Sequence, residues 1–169
     1  LRSWMMSKRA KKIDSDTKKV LVDWPAIGYD SSDQEVAEFY SKAEGTVKER
    51  NSIFYKKKLT DIFIYAMVLG KHAGLKEPYL EKGKGRKDSI NSEYFADEPR
   101  YVWMMNAIAL EETNGDLDIL LPENARQIVD ICEAYANHGI HQLIEMEKIS
   151  AGASGFRGYE DKISEMLND

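Results

Sequence analysis

The 169-residue chain has one cysteine, Cys132, and only four prolines. A single thiol excludes a disulfide framework within the chain and a cysteine-rich zinc site. No apolar run approaches the roughly 18 residues of a membrane span; the longest candidate runs from Ile62 to Leu69. The segment Leu1-Arg2-Ser3-Trp4-Met5-Met6 passes straight into lysines, which is not the pattern of a secretory signal, and predicts a cytoplasmic protein. Internal repeats, sustained heptads and a series of period-two strands are all missing. What is left is helical periodicity in a chain long enough for one sizeable core. The expected fold is mainly all-α, a bundle of five to seven helices. Its expected parts are a basic flexible arm over 1–19, a helical domain over 20–150, and a Gly-rich hinge with a short helix over 151–169.

Val20 to Pro25 reads as a short extended segment and Gly28 to Ser32 as a turn. Ser32 or Asp33 is placed to cap a helix running to about Ala43. A second helix is expected from about Lys57 to Ala73, stopped by Gly74. It is apolar nearly all round, which predicts a central, buried position. A loop follows from Leu75 to Lys87, and Asp88 or Ser89 is placed to cap a short helix through Phe95. Pro99 suits the first turn of the next helix, which Asn114-Gly115-Asp116 ends. Pro122 opens a long apolar pattern through Ile128, Cys132, Tyr135 and Leu143, and Gly139 predicts a kink or break in it. Gly152, Gly155 and Gly158 precede an amphipathic stretch from Tyr159 to Leu167.

The net charge of −5 hides an asymmetry. Residues 1–90 hold 19 Lys and Arg against 13 Asp and Glu, whereas residues 91–169 hold 5 against 16. The cations cluster at Lys8-Arg9-Ala10-Lys11-Lys12, at Lys56-Lys57-Lys58 and at Lys82-Gly83-Lys84-Gly85-Arg86-Lys87. Clustered cations are either a solvated face or contacts for a phosphate backbone. The third cluster lacks the spacing of a nucleotide-binding phosphate loop. Trp24, Tyr29, Tyr55 and Tyr79 lie near basic clusters, as base-stacking groups or as edge-of-core residues with a wet tip.

His138, His141 and Glu145 are the best metal-ligand pattern, since a continuous helix would bring them to neighbouring turns. The spacing matches no established zinc motif, and a solvated histidine pair is the plainer reading. Cys132 lies on an apolar stripe and reads as a small hydrophobe. Glu111, Glu112, Asp116 and Asp118 sit around a helix end, where a solvated surface is a plainer reading than a nuclease centre.

Three segments carry a resemblance: Asp61-Ile-Phe-Ile-Tyr-Ala-Met-Val-Leu-Gly70 with its basic loop, Asn106-Ala-Ile-Ala-Leu-Glu-Glu-Thr-Asn-Gly-Asp116 with Ile119-Leu120, and Ile131-Cys-Glu-Ala-Tyr-Ala-Asn-His-Gly-Ile-His-Gln-Leu143. Over about residues 58–143 the chain resembles the Dnd-system-associated accessory proteins, found beside DNA phosphorothioation and its restriction genes. The resemblance implies an intracellular defence cluster that modifies DNA or senses its modification. It implies no active-site residues.

The expected function is therefore a non-enzymatic accessory protein that binds the DNA backbone, partner subunits of a defence complex, or both. Lys56, Lys57, Lys58, Lys82, Lys84, Arg86 and Lys87 are the expected phosphate contacts, independent of base sequence. No catalytic residue, cofactor or membrane contact is expected. A two-fold homodimer is the commonest assembly for such a chain. The alternative is a docking module that uses the acidic half and no nucleic acid. A third reading is a metal-dependent enzyme built on His138, His141 and Glu145.

Overall fold

The computed structural model of the chain describes residues 24–42, 52–77 and 85–152. Among them are four α-helices: α1 (Gln34–Lys42), α2 (Leu59–Ala73), α3 (Pro99–Glu112) and α4 (Ala125–Gly152). Two short strands, β1 (Ile27–Asp30) and β2 (Arg86–Ile90), pair antiparallel, with Tyr29 opposite Lys87 and Asp30 opposite Arg86. Tight 3-10 turns cover Ser92–Asp97, Leu117–Leu120 and Pro122–Asn124.

Local chemistry sets the helix ends. Asp33 Oδ1 accepts hydrogen bonds from the Glu35 and Val36 amides at 2.9 and 3.1 Å, so Asp33 starts α1. Asp61 Oδ2 accepts from the Lys58 amide at 2.8 Å at the start of α2. Gly74 ends α2 in the left-handed region at φ 67°, and the Gly74 and Leu75 amides bond back to the Lys71 and Gly70 carbonyls. Pro99 opens α3, and Asn114 and Gly115 take positive φ beyond its end.

α4 is the axis of the molecule. Its 28 residues span about 42 Å. α2 lies antiparallel against it, with Gly70 facing Tyr135 and Gly139 facing Ala66. α3 packs on α4 where the Cys132 thiol meets the Met105 carbonyl. Ile62, Phe63, Met67, Met105, Val129 and Ile140 fill the interior. Burying each such side chain contributes roughly 1.5–3 kcal/mol. Tyr29 stacks on Tyr40 with ring centroids 4.3 Å apart, which ties the strand pair to α1.

The architecture is mainly helical, as expected, but the described residues hold four α-helices rather than five to seven. The expected turn at Gly28 is strand β1, and the expected helix from Asp88 begins as strand β2. Gly139 does not break α4, and its missing side chain serves close helix packing. α2 is not buried all round: Tyr65 and Val68 are 38% and 40% exposed. The expected arm over 1–19 and residues 153–169 lie outside the described residues.

Candidate functional site

Among the described residues the expected phosphate contacts lie on two elements, the turn before α2 and strand β2. Lys56, Lys57 and Lys58 are exposed in the turn before α2. Lys56 takes a left-handed φ of 63°, which turns the chain sharply into the helix. The Lys56 ammonium lies 5.2 Å from the Tyr55 ring centroid and that of Lys57 lies 6.0 Å from the Tyr65 centroid. Neither they nor Lys58 forms an ion pair with a described residue. Lys87 is exposed on β2. Lys82 and Lys84 lie outside the described residues.

Arg86 is placed differently. It is 8% exposed, and its guanidinium reaches the buried Glu133 carboxylate twice, with Nε at 3.0 Å from Oε2 and Nη2 at 2.6 Å from Oε1. Nη2 also donates to the Ala26 carbonyl at 2.9 Å, and Nη1 pairs with Asp88. Glu133 Oε1 accepts from the Gly28 amide at 2.7 Å as well. The group thus clamps both strands onto α4, and its burial takes Arg86 out of the set of surface cations. Tyr29 is likewise buried, so its ring packs within the core rather than facing solvent.

The two basic stations are fixed to α4 at separate points. Arg86 anchors β2 at Glu133, and the Ile53 amide donates to Glu147 at 3.3 Å beside the lysine turn. Fourteen helical residues, about 21 Å, separate those anchors.

His138 Nδ1 faces Glu77 at 3.5 Å, its Nε2 lies 3.5 Å from Gln142, and Glu145 pairs with Lys148 at 3.1 Å. His141 is exposed. Among the described residues no three His, Cys, Asp or Glu side chains come together in a way that fits a metal ion.

The acids divide as well. Glu112 is held by Lys76 at 2.7 Å, by Lys71 at 3.3 Å and by the Tyr135 hydroxyl. The Lys76 ammonium first, then the Tyr135 hydroxyl, outweigh partial desolvation and, with Lys71, hold the Glu112 carboxyl down to about 2. Asp116 accepts from the Asp118 amide and caps the following 3-10 turn. Around that turn Leu117, Leu120 and Leu121 are 70%, 40% and 44% exposed.

One large concavity is not foreshadowed by any motif. α2 and α3 are linked at like ends: the Tyr101 hydroxyl donates to Asp61 at 2.5 Å, and Lys71 reaches Glu111 at 3.0 Å. The two helices therefore run in the same direction. Between the links they stand apart and leave a groove of about 960 Å³. Tyr65, Val68 and Leu69 form one wall and Tyr101 and Met104 the other, with Leu143 and Met146 of α4 below. Lys56, Lys57 and Arg100 stand among its lining residues. Its trace in the sequence is the excess apolar surface of α2, since one helix face suffices for packing on α4.

A family model matches residues 33–168, described as DNA sulphur modification system-associated protein 4. The chain belongs to this family. The match takes in all four helices, the groove and the lysine turn, and agrees with the resemblance to Dnd-associated proteins. It extends past the end of α4, so residues 153–168 fall within the family's own extent. No curated protein and no solved structure matches the chain. Within the described residues no helix is long and apolar enough to cross a membrane.

Proposed function

We propose that this chain is a non-enzymatic accessory subunit of a DNA sulphur modification system that rests on the DNA backbone through its exposed lysines. The observation that carries the reading is the turn Lys56-Lys57-Lys58. Three successive cations are exposed, engaged by no described carboxylate, in a family tied to a system that acts on DNA. Lys87, on the strand that Arg86 anchors to α4, is a second station, and Lys82 and Lys84 complete the set without Arg86. Such contacts neutralise phosphate and position the subunit without reading bases.

Fluorescence anisotropy with a short labelled duplex at two salt concentrations tests this. Substituting Lys56, Lys57 and Lys58 by Ala should weaken binding and flatten its salt dependence by about 0.9 for each phosphate no longer neutralised. Equal affinity and slope in the variant overturn the assignment.

A second reading is docking of a protein partner of the system on the 117–124 turns. Exposed Leu117, Leu120 and Leu121 beside Asp116 and Asp118 favour it, because an apolar patch rimmed by acids suits a partner with a basic rim. A co-purifying system component that survives nuclease treatment and is lost in Leu117→Asp supports this second reading.

A further inference from the structure

The groove between α2 and α3 joins two aromatic walls to a cationic mouth. Tyr65 of α2 is 38% exposed and lies against the buried Phe54, with ring centroids 6.3 Å apart. Tyr101 of α3 meets the buried Phe95 edge-on at 6.4 Å, and its hydroxyl is held by Asp61. Both rings are thus positioned in advance, so a ligand that stacks on them orders few side chains. Val68, Met104 and Met146 make the surface between them apolar.

The charges gather at one end. Lys56 and Lys57 precede α2, and Arg100 lies in the first turn of α3, which starts at the same end. The two acids among the lining residues are already engaged, Glu98 by Arg100 at 2.9 Å and Asp61 by Tyr101 and the Lys58 amide. Lys56 and Lys57 pair with no described carboxylate, so the mouth keeps a net positive charge. The Lys57 ammonium lies 6.0 Å from the Tyr65 centroid, which sets a cation and a ring side by side.

We infer that the groove takes an unpaired nucleobase of single-stranded DNA, with its face against Tyr65 and the adjoining phosphates on Lys56 and Lys57. The inference rests on the proposed DNA role and names the form of DNA that the groove admits. A base within a duplex is stacked on both faces and does not reach a ring set between two helices; an unpaired base does. At about 960 Å³ the groove is at the upper end of the range of small-ligand sites, roughly 300–1,000 Å³. On the outer face of α3, Trp103 is 66% exposed one turn beyond Arg100 and offers a ring to a neighbouring base. Stacking of this kind is tolerant of sequence, since every base has a face.

Fluorescence anisotropy on the full chain tests this, with a labelled oligothymidylate of about 12 nucleotides and a labelled duplex of the same length. The single strand should bind more tightly at equal salt. Replacing Tyr65 and Trp103 together by Ala should weaken single-strand binding about fivefold or more, the loss of one stacked base, with duplex binding unchanged. Tyr65→Phe with Trp103→Phe should restore the single-strand affinity. Val68→Asp, an anionic group at a 40% exposed position, should act as the alanine pair does, and thermal melts establish that each variant is folded. A single strand bound no more tightly than the duplex, or bound equally well by the alanine pair and by Val68→Asp, overturns the inference. Duplex binding that still depends on Lys56, Lys57 and Lys58 then upholds the DNA role without the groove, whereas no binding of either form overturns both. Release of a co-purifying protein by Val68→Asp, with single-strand affinity unmoved, gives the groove to a protein and likewise overturns the inference.

Discussion

Gly139 packs its backbone directly against the carbonyl of Ala66: a side-chain carbon there would lie 1.8 Å from that oxygen. Gly70 makes the reciprocal contact one turn along, with 2.0 Å to the Tyr135 carbonyl. The obstacle in both cases is backbone, which no rotamer change removes. Alanine raises helix propensity by about 1 kcal/mol over glycine, yet overpacking here costs about 1–3 kcal/mol or more. Gly139→Ala and Gly70→Ala are therefore expected to lower the urea midpoint. Gly74→Ala is the comparison: its neighbourhood is open, and only its φ of 67° opposes a side chain, at about 1 kcal/mol. Equal midpoints for Gly139→Ala and the unaltered chain would falsify this account of the helix crossing.

Arg86 and Glu133 make a second prediction. Arg86→Ala leaves a carboxylate that is 2% exposed with the Gly28 amide and, at 3.8 Å, Arg126, and removing one member of a buried pair costs up to roughly 3–5 kcal/mol. Glu133→Ala leaves the guanidinium paired with Asp88 and bonded to the Ala26 carbonyl, so its loss should be the smaller of the two. Denaturant melts of both variants measure it, and a loss below about 1 kcal/mol would contradict the clamp. Any drop in DNA affinity from Arg86→Ala should track unfolding and vanish when corrected for the folded fraction. Lys87→Ala, at an exposed position, should change binding with the melting curve unmoved.

Much of the helical frame is legible in the sequence because its signals are local. Asp33, Gly74, Pro99 and Asn114-Gly115 act within a turn of where they stand, and each sets the boundary expected of it. The strand pair is not legible. Arg86-Lys87-Asp88-Ser89-Ile90 is polar, and its pairing depends on Ile27 to Asp30, more than fifty residues earlier. Arg86 looks like its lysine neighbours because its burial comes from Glu133, 47 residues away. Gly139 has the intrinsic tendency of a helix breaker, and a neighbouring helix overrides that tendency. The exposure of Lys56 to Lys58 follows directly from three consecutive charges. The groove beside them does not, because it arises where α2 and α3 fail to touch.

Cys132 should behave as a hydrophobe. It is fully buried with its thiol toward the Met105 carbonyl at 3.7 Å, and burial first, then the nearby Glu133, pushes its pKa above the ordinary thiol range. The thiolate that reacts with disulfide reagents is thus nearly absent in the folded chain. Native protein is expected to react with an aromatic disulfide reagent on the order of 10²-fold more slowly than denatured protein, with one equivalent released on unfolding. Rapid stoichiometric labelling of the native chain would refute this placement.

Glu112 gives the acid limb of stability a specific contributor. Its folded pKa of about 2 lies below the ordinary 4.5, so the folded chain binds this proton more weakly than the unfolded chain. Its contribution is therefore complete above about pH 5 and is lost as pH falls toward 2. Glu112→Gln removes the carboxylate that Lys76 and Lys71 share, at a cost on the order of 1 kcal/mol at pH 7 for a partly exposed network. The difference in unfolding free energy between the two chains should be largest at neutral pH and shrink steadily between pH 5 and 2. Lys76→Ala, which removes the largest cause of the depression, should raise the folded pKa, so that the loss still begins near pH 5 but ends at a higher pH and is smaller in total. Urea denaturation at half-unit pH steps reads both effects, and a difference independent of pH would show that Glu112 contributes through packing alone.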